Sequence, residues 1–103
     1  MIHLDTHVVA WLWAGDLKRL KPVAAILDQE DLAVSPMAVL ELQYLHEIGR
    51  VSDPAQAILT DLVARLGLRT SDAPFARILE ASLALDWTQD PFDRLIVATA
   101  IVD

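Results

Sequence analysis

The chain predicts an α/β fold in which a parallel sheet is covered by helices. Three observations carry this. Short apolar segments alternate with longer segments of helical period, the pattern of strands joined by helical crossovers. Proline and glycine punctuate the alternation where helices should begin and end. The final segment, "PFDRLIVATAIVD", is apolar nearly all round, as a buried helix should be.

The elements follow in order. "MIHL" is a short strand, and "THVVAWLWAG" is a helix that ends at Gly15. "KPVAAILDQE" reads as a second helix with Pro22 near its first turn. "LAVS" is a second strand. Ser35 and Pro36 then supply an N-cap and a first-turn residue for a helix running to about Ile48. "DPAQAILTDLVARLG" opens at Asp53 and Pro54 and closes at Gly67, and Ile58, Leu59, Leu62, Val63 and Leu66 fit one helical face. "LRTS" is a third strand candidate. "APFARILEASLAL" and the final segment are helices.

In such folds ligands bind beyond the carboxyl ends of the strands. Asp5 and Ser35 end the first two strands, and Thr70, Ser71 and Asp72 end the third. These residues are expected along one edge of the sheet. The chain stops inside its last helix, where the alternation would continue into another strand, so a truncated chain is expected.

Composition sets further bounds. With 103 residues, 54% of them hydrophobic, the chain has enough material for one domain with a real core. The longest near-continuous apolar run, Leu95–Val102, is far short of a bilayer span. Residues 1–15 carry Asp5 and no basic leader, which argues against a secretory signal and for a soluble, cytoplasmic protein without membrane attachment. There is no cysteine, so disulfides and thiolate metal sites are excluded. The net charge of −7 has the wrong sign for gripping nucleic acid by overall charge. It is compatible with a nucleic-acid enzyme whose acids hold cations, because the cations reverse the local sign.

Three carboxylates stand out. Glu41 shares a helical face with Met37, Leu40, Tyr44, Leu45 and Ile48. An inward carboxylate there is costly unless paired, hydrogen-bonded or bound to metal. Asp5, between a strand and a helix, is either an N-cap or a functional acid. Asp93, in "DPFDRLIVATA", is either the acidic member of a capping box opened by Asp90 or a functional acid at the mouth of a buried helix. A set of acids without His or Cys at ligand spacing favours a hard divalent cation such as Mg²⁺ or Mn²⁺. His3 and His7 straddle a strand–helix junction and make no helical ligand pair, and His46 is expected to be solvated. Lys18, Arg19 and Lys21 form a small basic cluster, either a solvated junction or a contact for an RNA backbone. Of Trp11 and Trp13, one is expected in the core and the other at an interface.

The stretches "HLDTHVVAWLWAG", "VSPMAVLELQYL" and "DPFDRLIVATA", in this order and spacing, resemble a PIN domain of the VapC-type toxins. The resemblance covers residues 1–103 as a single domain. It implies a three-layer α/β/α sandwich with a central parallel sheet, here with its last strand apparently absent. It implies a Mg²⁺- or Mn²⁺-dependent endoribonuclease whose acids fall on Asp5, Glu41 and Asp93, with a site hydroxyl on Thr6 or Ser35. Arg94, next to Asp93, is expected either to steady the site or to lie on the surface. The same resemblance implies an RNA substrate, a cognate antitoxin and a homodimer. The chain departs from the pattern at its end, where a fourth acid in a "T-x-D"-like segment has no counterpart, and at Gln89, where many relatives carry a basic residue. The rival from another class is a non-catalytic interaction module. An aspartyl-nucleophile phosphatase ranks lower, because "LDTH" lacks the second aspartate two residues after Asp5.

Overall fold

A computed structural model describes residues 1–103. The predicted α/β class holds. The order is β1 (Ile2–Leu4), α1 (Thr6–Ala14), α2 (Leu17–Leu20), a 3₁₀ turn (Lys21–Val23), α3 (Ala24–Gln29), β2 (Leu32–Val34), α4 (Pro36–Glu47), α5 (Ala55–Leu66), β3 (Arg69–Thr70), α6 (Phe75–Ser82) and α7 (Pro91–Val102). The three strands form one parallel sheet in the order β1-β2-β3, flanked by helices. β2 is central and its Leu32, Ala33 and Val34 are all buried, as expected of a strand covered on both faces. No helix is long and apolar enough to cross a membrane.

Register fixes the edge that matters. Leu4 pairs with Val34, and Val34 with Thr70. Because all strands run the same way, the next residues, Asp5, Ser35 and Ser71, stand together at the carboxyl edge. Two helix ends confirm the glycine punctuation. Gly15 and Gly67 both adopt the left-handed conformation at φ 67°, which costs glycine no Cβ clash, and each closes its helix with a backbone hydrogen bond.

The core gathers Leu4, Val9, Val34, Leu42, Ile58 and Leu62 with their neighbours. Each such side chain contributes about 1.5–3 kcal/mol by leaving water. α4 sits among α1, α5 and α7, and α7 packs on α6 and α4.

Several local expectations are corrected. The single helix expected over 21–30 is two pieces, a 3₁₀ turn and α3, because Pro22 has no N–H to continue a helix, and a short unexpected helix, α2, precedes it where Asp16 caps at Arg19 N. The segment expected to open at Asp53 and Pro54 becomes helical at Ala55, with Pro54 at the N-cap position. Asp53 instead accepts hydrogen bonds from Trp13 Nε1 (3.1 Å) and Ser52 Oγ (2.8 Å), and Gln43 Oε1 takes the Ala55 N–H at 3.0 Å. The apolar stripe of α4 is not the buried one. Leu40, Tyr44 and Ile48 are about half exposed, whereas Ala38 and Leu42 are buried. α7 is one-sided rather than buried all round, since Ile101 is exposed. His46, expected to be solvated, is only partly exposed, with Nδ1 3.0 Å from the Val51 carbonyl.

Candidate active site

The carboxyl edge is built by three elements that each deliver one acid. Asp5 follows β1 and precedes α1. Its backbone takes the N-cap position with φ −69° and ψ 154°, yet its side chain accepts no capping hydrogen bond. The carboxylate is exposed and turns toward His7, with Oδ2 3.8 Å from Nδ1. The N-cap explanation for this residue therefore fails at the side chain.

Asp93 opens α7 in the same unspent way. Asp90 does the capping there: its Oδ1 accepts from Phe92 N at 2.8 Å and from Asp93 N at 3.3 Å. In a capping box the Asp93 side chain would reach back to Asp90 N. That N–H instead donates to Thr88 Oγ1 at 3.2 Å. The half-buried Asp93 carboxylate is free of the cap and shares a cleft of about 250 Å³ with Asp5, His3, Trp87 and Ile96.

Glu41 lies on α4 in the turn between buried Ala38 and Leu42 and half-buried Leu45. Its carboxylate is held by a short hydrogen bond from the fully buried Thr6 hydroxyl, Oγ1 to Oε1 at 2.5 Å. Thr6 follows Asp5 directly, so one backbone link and one hydrogen bond tie the first and second acids together.

Ser35 plays a different part. It caps α4 by accepting from Met37 N at 3.1 Å, and its Oγ lies 2.8 Å from Thr99 Oγ1. Thr99 donates to the Leu95 carbonyl at 2.7 Å. The chain of donors then runs from Met37 N–H through Ser35 and Thr99 to Leu95, and both hydroxyls are buried. This relay fastens α7 to the β2–α4 junction and so fixes the helix that carries Asp93. Thr99 was not singled out in the sequence. Its signal was a lone hydroxyl inside an apolar run, which in a buried helix requires a partner. Arg94 points away from the acids: its Nε donates to the Thr88 carbonyl at 3.0 Å and braces the turn ahead of α7.

As positioned, no three His, Cys, Asp or Glu side chains converge into a group able to hold a metal. Asp5 leans to His7 and Glu41 to Thr6, and like charges at one edge repel.

The arrangement defines an α/β protein whose parallel sheet presents acids from β1, α4 and α7 at its carboxyl edge. A profile of the PIN domain family matches residues 2–103, and the chain belongs to this family. It is 35% identical over 105 residues to Ribonuclease VapC22 of Mycobacterium tuberculosis (strain ATCC 25618 / H37Rv), a match covering 95% of this chain and 77% of the relative. No solved structure matches. The resemblance to VapC-type PIN domains drawn from the sequence thus holds.

Proposed function

We propose that residues 1–103 act as one PIN domain, a divalent-metal-dependent endoribonuclease that serves as the toxin of a toxin–antitoxin pair in the cytoplasm. One observation supports this most: Asp5 at the N-cap of α1 and Asp93 at the third position of α7 could each serve as a helix-start acid, neither side chain does, and both open onto one cleft. The similarity to a ribonuclease supports the substrate class.

The donor set fits Mg²⁺ or Mn²⁺, being carboxylate oxygen throughout. Asp5, Glu41 and Asp93 would hold the ion. Held there, it would polarise a phosphoryl oxygen and lower the pKa of a water. The chain's own residues prepare the place. Thr6 keeps one Glu41 oxygen oriented, and the Ser35–Thr99 bond keeps α7 and Asp93 at the edge. The same acidic edge suits an antitoxin that covers it with basic side chains. A homodimer is part of this reading.

Cleavage of single-stranded RNA in Mg²⁺ or Mn²⁺ tests it. The wild type should cut, chelation should stop cutting, and Asp93→Asn should be inactive but folded. Wild-type cleavage by Asp93→Asn would overturn the assignment. The lack of a converged three-acid group favours a second reading, a PIN-like module that binds a protein and cuts nothing. Metal-independent behaviour throughout would select it.

A further inference from the structure

A second groove adjoins the acidic edge, and nothing above uses it. It holds about 490 Å³ and runs between α1, α2 and the loop after α4. On α1 its lining residues His7, Trp11 and Ala14 stand at i, i+4 and i+7, one stripe of the helix. The stripe begins beside the site, because His7 is the residue that Asp5 leans toward. With a rise of 1.5 Å per residue, Trp11 lies about 9 Å further along the helix axis than Asp5.

The groove is cationic in a protein that is not. Two guanidiniums, Arg19 and Arg50, line it with the imidazole of His7; Asp16 is the one acid in the lining, and Asp53 stands behind it, bonded to Trp13 and Ser52. The net charge is −7 and the chain has 8 Lys and Arg. Three of the others are engaged, Arg65 with Asp61 (2.7 Å), Arg69 near Asp103 (3.5 Å) and Arg94 with the Thr88 carbonyl (3.0 Å), while Arg77 stands exposed on α6, away from this groove. Arg50 is exposed and makes no ion pair, and Lys18 and Lys21 flank Arg19 in the chain. Arg19 sits 3.5 Å from Asp16 and 5.8 Å from the centre of the Trp11 ring, so the aromatic face carries a guanidinium. Trp11 is half-buried and free of the packing role of Trp13, whose indole N–H is fixed to Asp53.

We propose that this groove seats RNA flanking the scissile phosphate, with a base on the Trp11 face and backbone phosphate at Arg50 and Arg19. An aromatic platform beside cations is how single strands are held without base-edge reading. It supplies the positive charge that the chain as a whole lacks. The inference rests on the ribonuclease reading and names where that substrate lies.

The test is binding of a dye-labelled single-stranded RNA to the full chain in chelator, so that no cleavage occurs. Arg50→Gln should weaken binding about tenfold and reduce the slope of log K on log salt by roughly 0.7, the share of one phosphate contact on a single strand. Trp11→Ala should weaken it about tenfold, and Trp11→Phe should restore most of the loss, since the contact is a stacking face. Binding within twofold of wild type in both Arg50→Gln and Trp11→Ala overturns the proposal. So does a pattern in which these variants lose poly-glutamate, a probe for an acidic protein partner, while RNA binding is unchanged. Parallel wild-type cleavage in Mn²⁺ separates the two claims. Cleavage with indifferent groove variants would sink the groove alone, whereas groove-dependent binding without cleavage would uphold the groove and sink the ribonuclease reading.

Discussion

Asp5 and Asp90 stand at the same position, the N-cap of a long helix, and do different work. Asp90 takes two backbone N–H groups of α7. Asp5 takes none from α1. At α7 the cap and the free acid are separate residues, Asp90 and Asp93. At α1 the cap position itself is left to the free acid, and the hydroxyl behind it, Thr6, turns inward to Glu41 rather than to the helix. A helix start that gives up its cap forgoes about 1 kcal/mol. The lesson is that residue type at a helix start does not separate a cap from a functional carboxylate; the hydrogen-bond partner does.

The comparison can be broken in graded ways. The largest effect is expected from Asp5→Asn and Asp93→Asn. Each should lower RNA cleavage at least ~100-fold, since even indirect supports of a metal site cost 10–100-fold. Each should leave stability within about 0.5 kcal/mol, because neither carboxylate holds the fold. A matching fall in melting temperature would mean that the acids are structural. Next comes Thr6→Val, which strips a half-buried carboxylate of its donor. It should cost about 1–3 kcal/mol, read by chemical denaturation, and reduce cleavage 10–100-fold by releasing Glu41.

Ser35→Ala follows, removing the α4 cap and the bond to Thr99 together. About 1–2 kcal/mol should be lost, with cleavage falling only as α7 loosens. Smallest, and most pointed, is the pair Asp90→Ala and Asp5→Ala compared by thermal melt. The first should lose about 1 kcal/mol, or roughly 4–8 °C for a domain of this size, and the second nothing. Equal losses would erase the distinction between the two helix starts.

Much of this was legible in the sequence. The alternation of "MIHL", "LAVS" and "LRTS" with helical segments predicted the parallel sheet. Gly15 and Gly67 marked helix ends because only glycine takes the left-handed conformation without cost. Ser35 before Pro36 marked a cap that the structure shows. What stayed hidden were partners distant in sequence. Nothing local tells Gln43 to cap α5 from 12 residues away, or Asp53 to accept from Trp13 rather than cap its own helix. The exposed stripe of Leu40, Tyr44 and Ile48 misled for a related reason. Periodicity reports an apolar face, not what covers it, and here Tyr44 stays half exposed while stacking on the Phe92 ring, with centroids 6.5 Å apart. Glu41, read as facing inward on that stripe, is half-buried for a different reason: it lies beside Ala38 and Leu42, the side of α4 that is covered.

The most direct test of the central claim, that Asp5, Glu41 and Asp93 together hold a divalent cation, is a thermal melt against rising Mn²⁺. The wild type is run beside Asp5→Asn, Glu41→Gln and Asp93→Asn. A saturating rise in melting temperature is expected for the wild type, reaching about 2.7 kcal/mol of added stability at 100 times the dissociation constant. Each variant should lose most of it. A rise of equal size in all four proteins, or none in the wild type, would contradict a shared three-acid site.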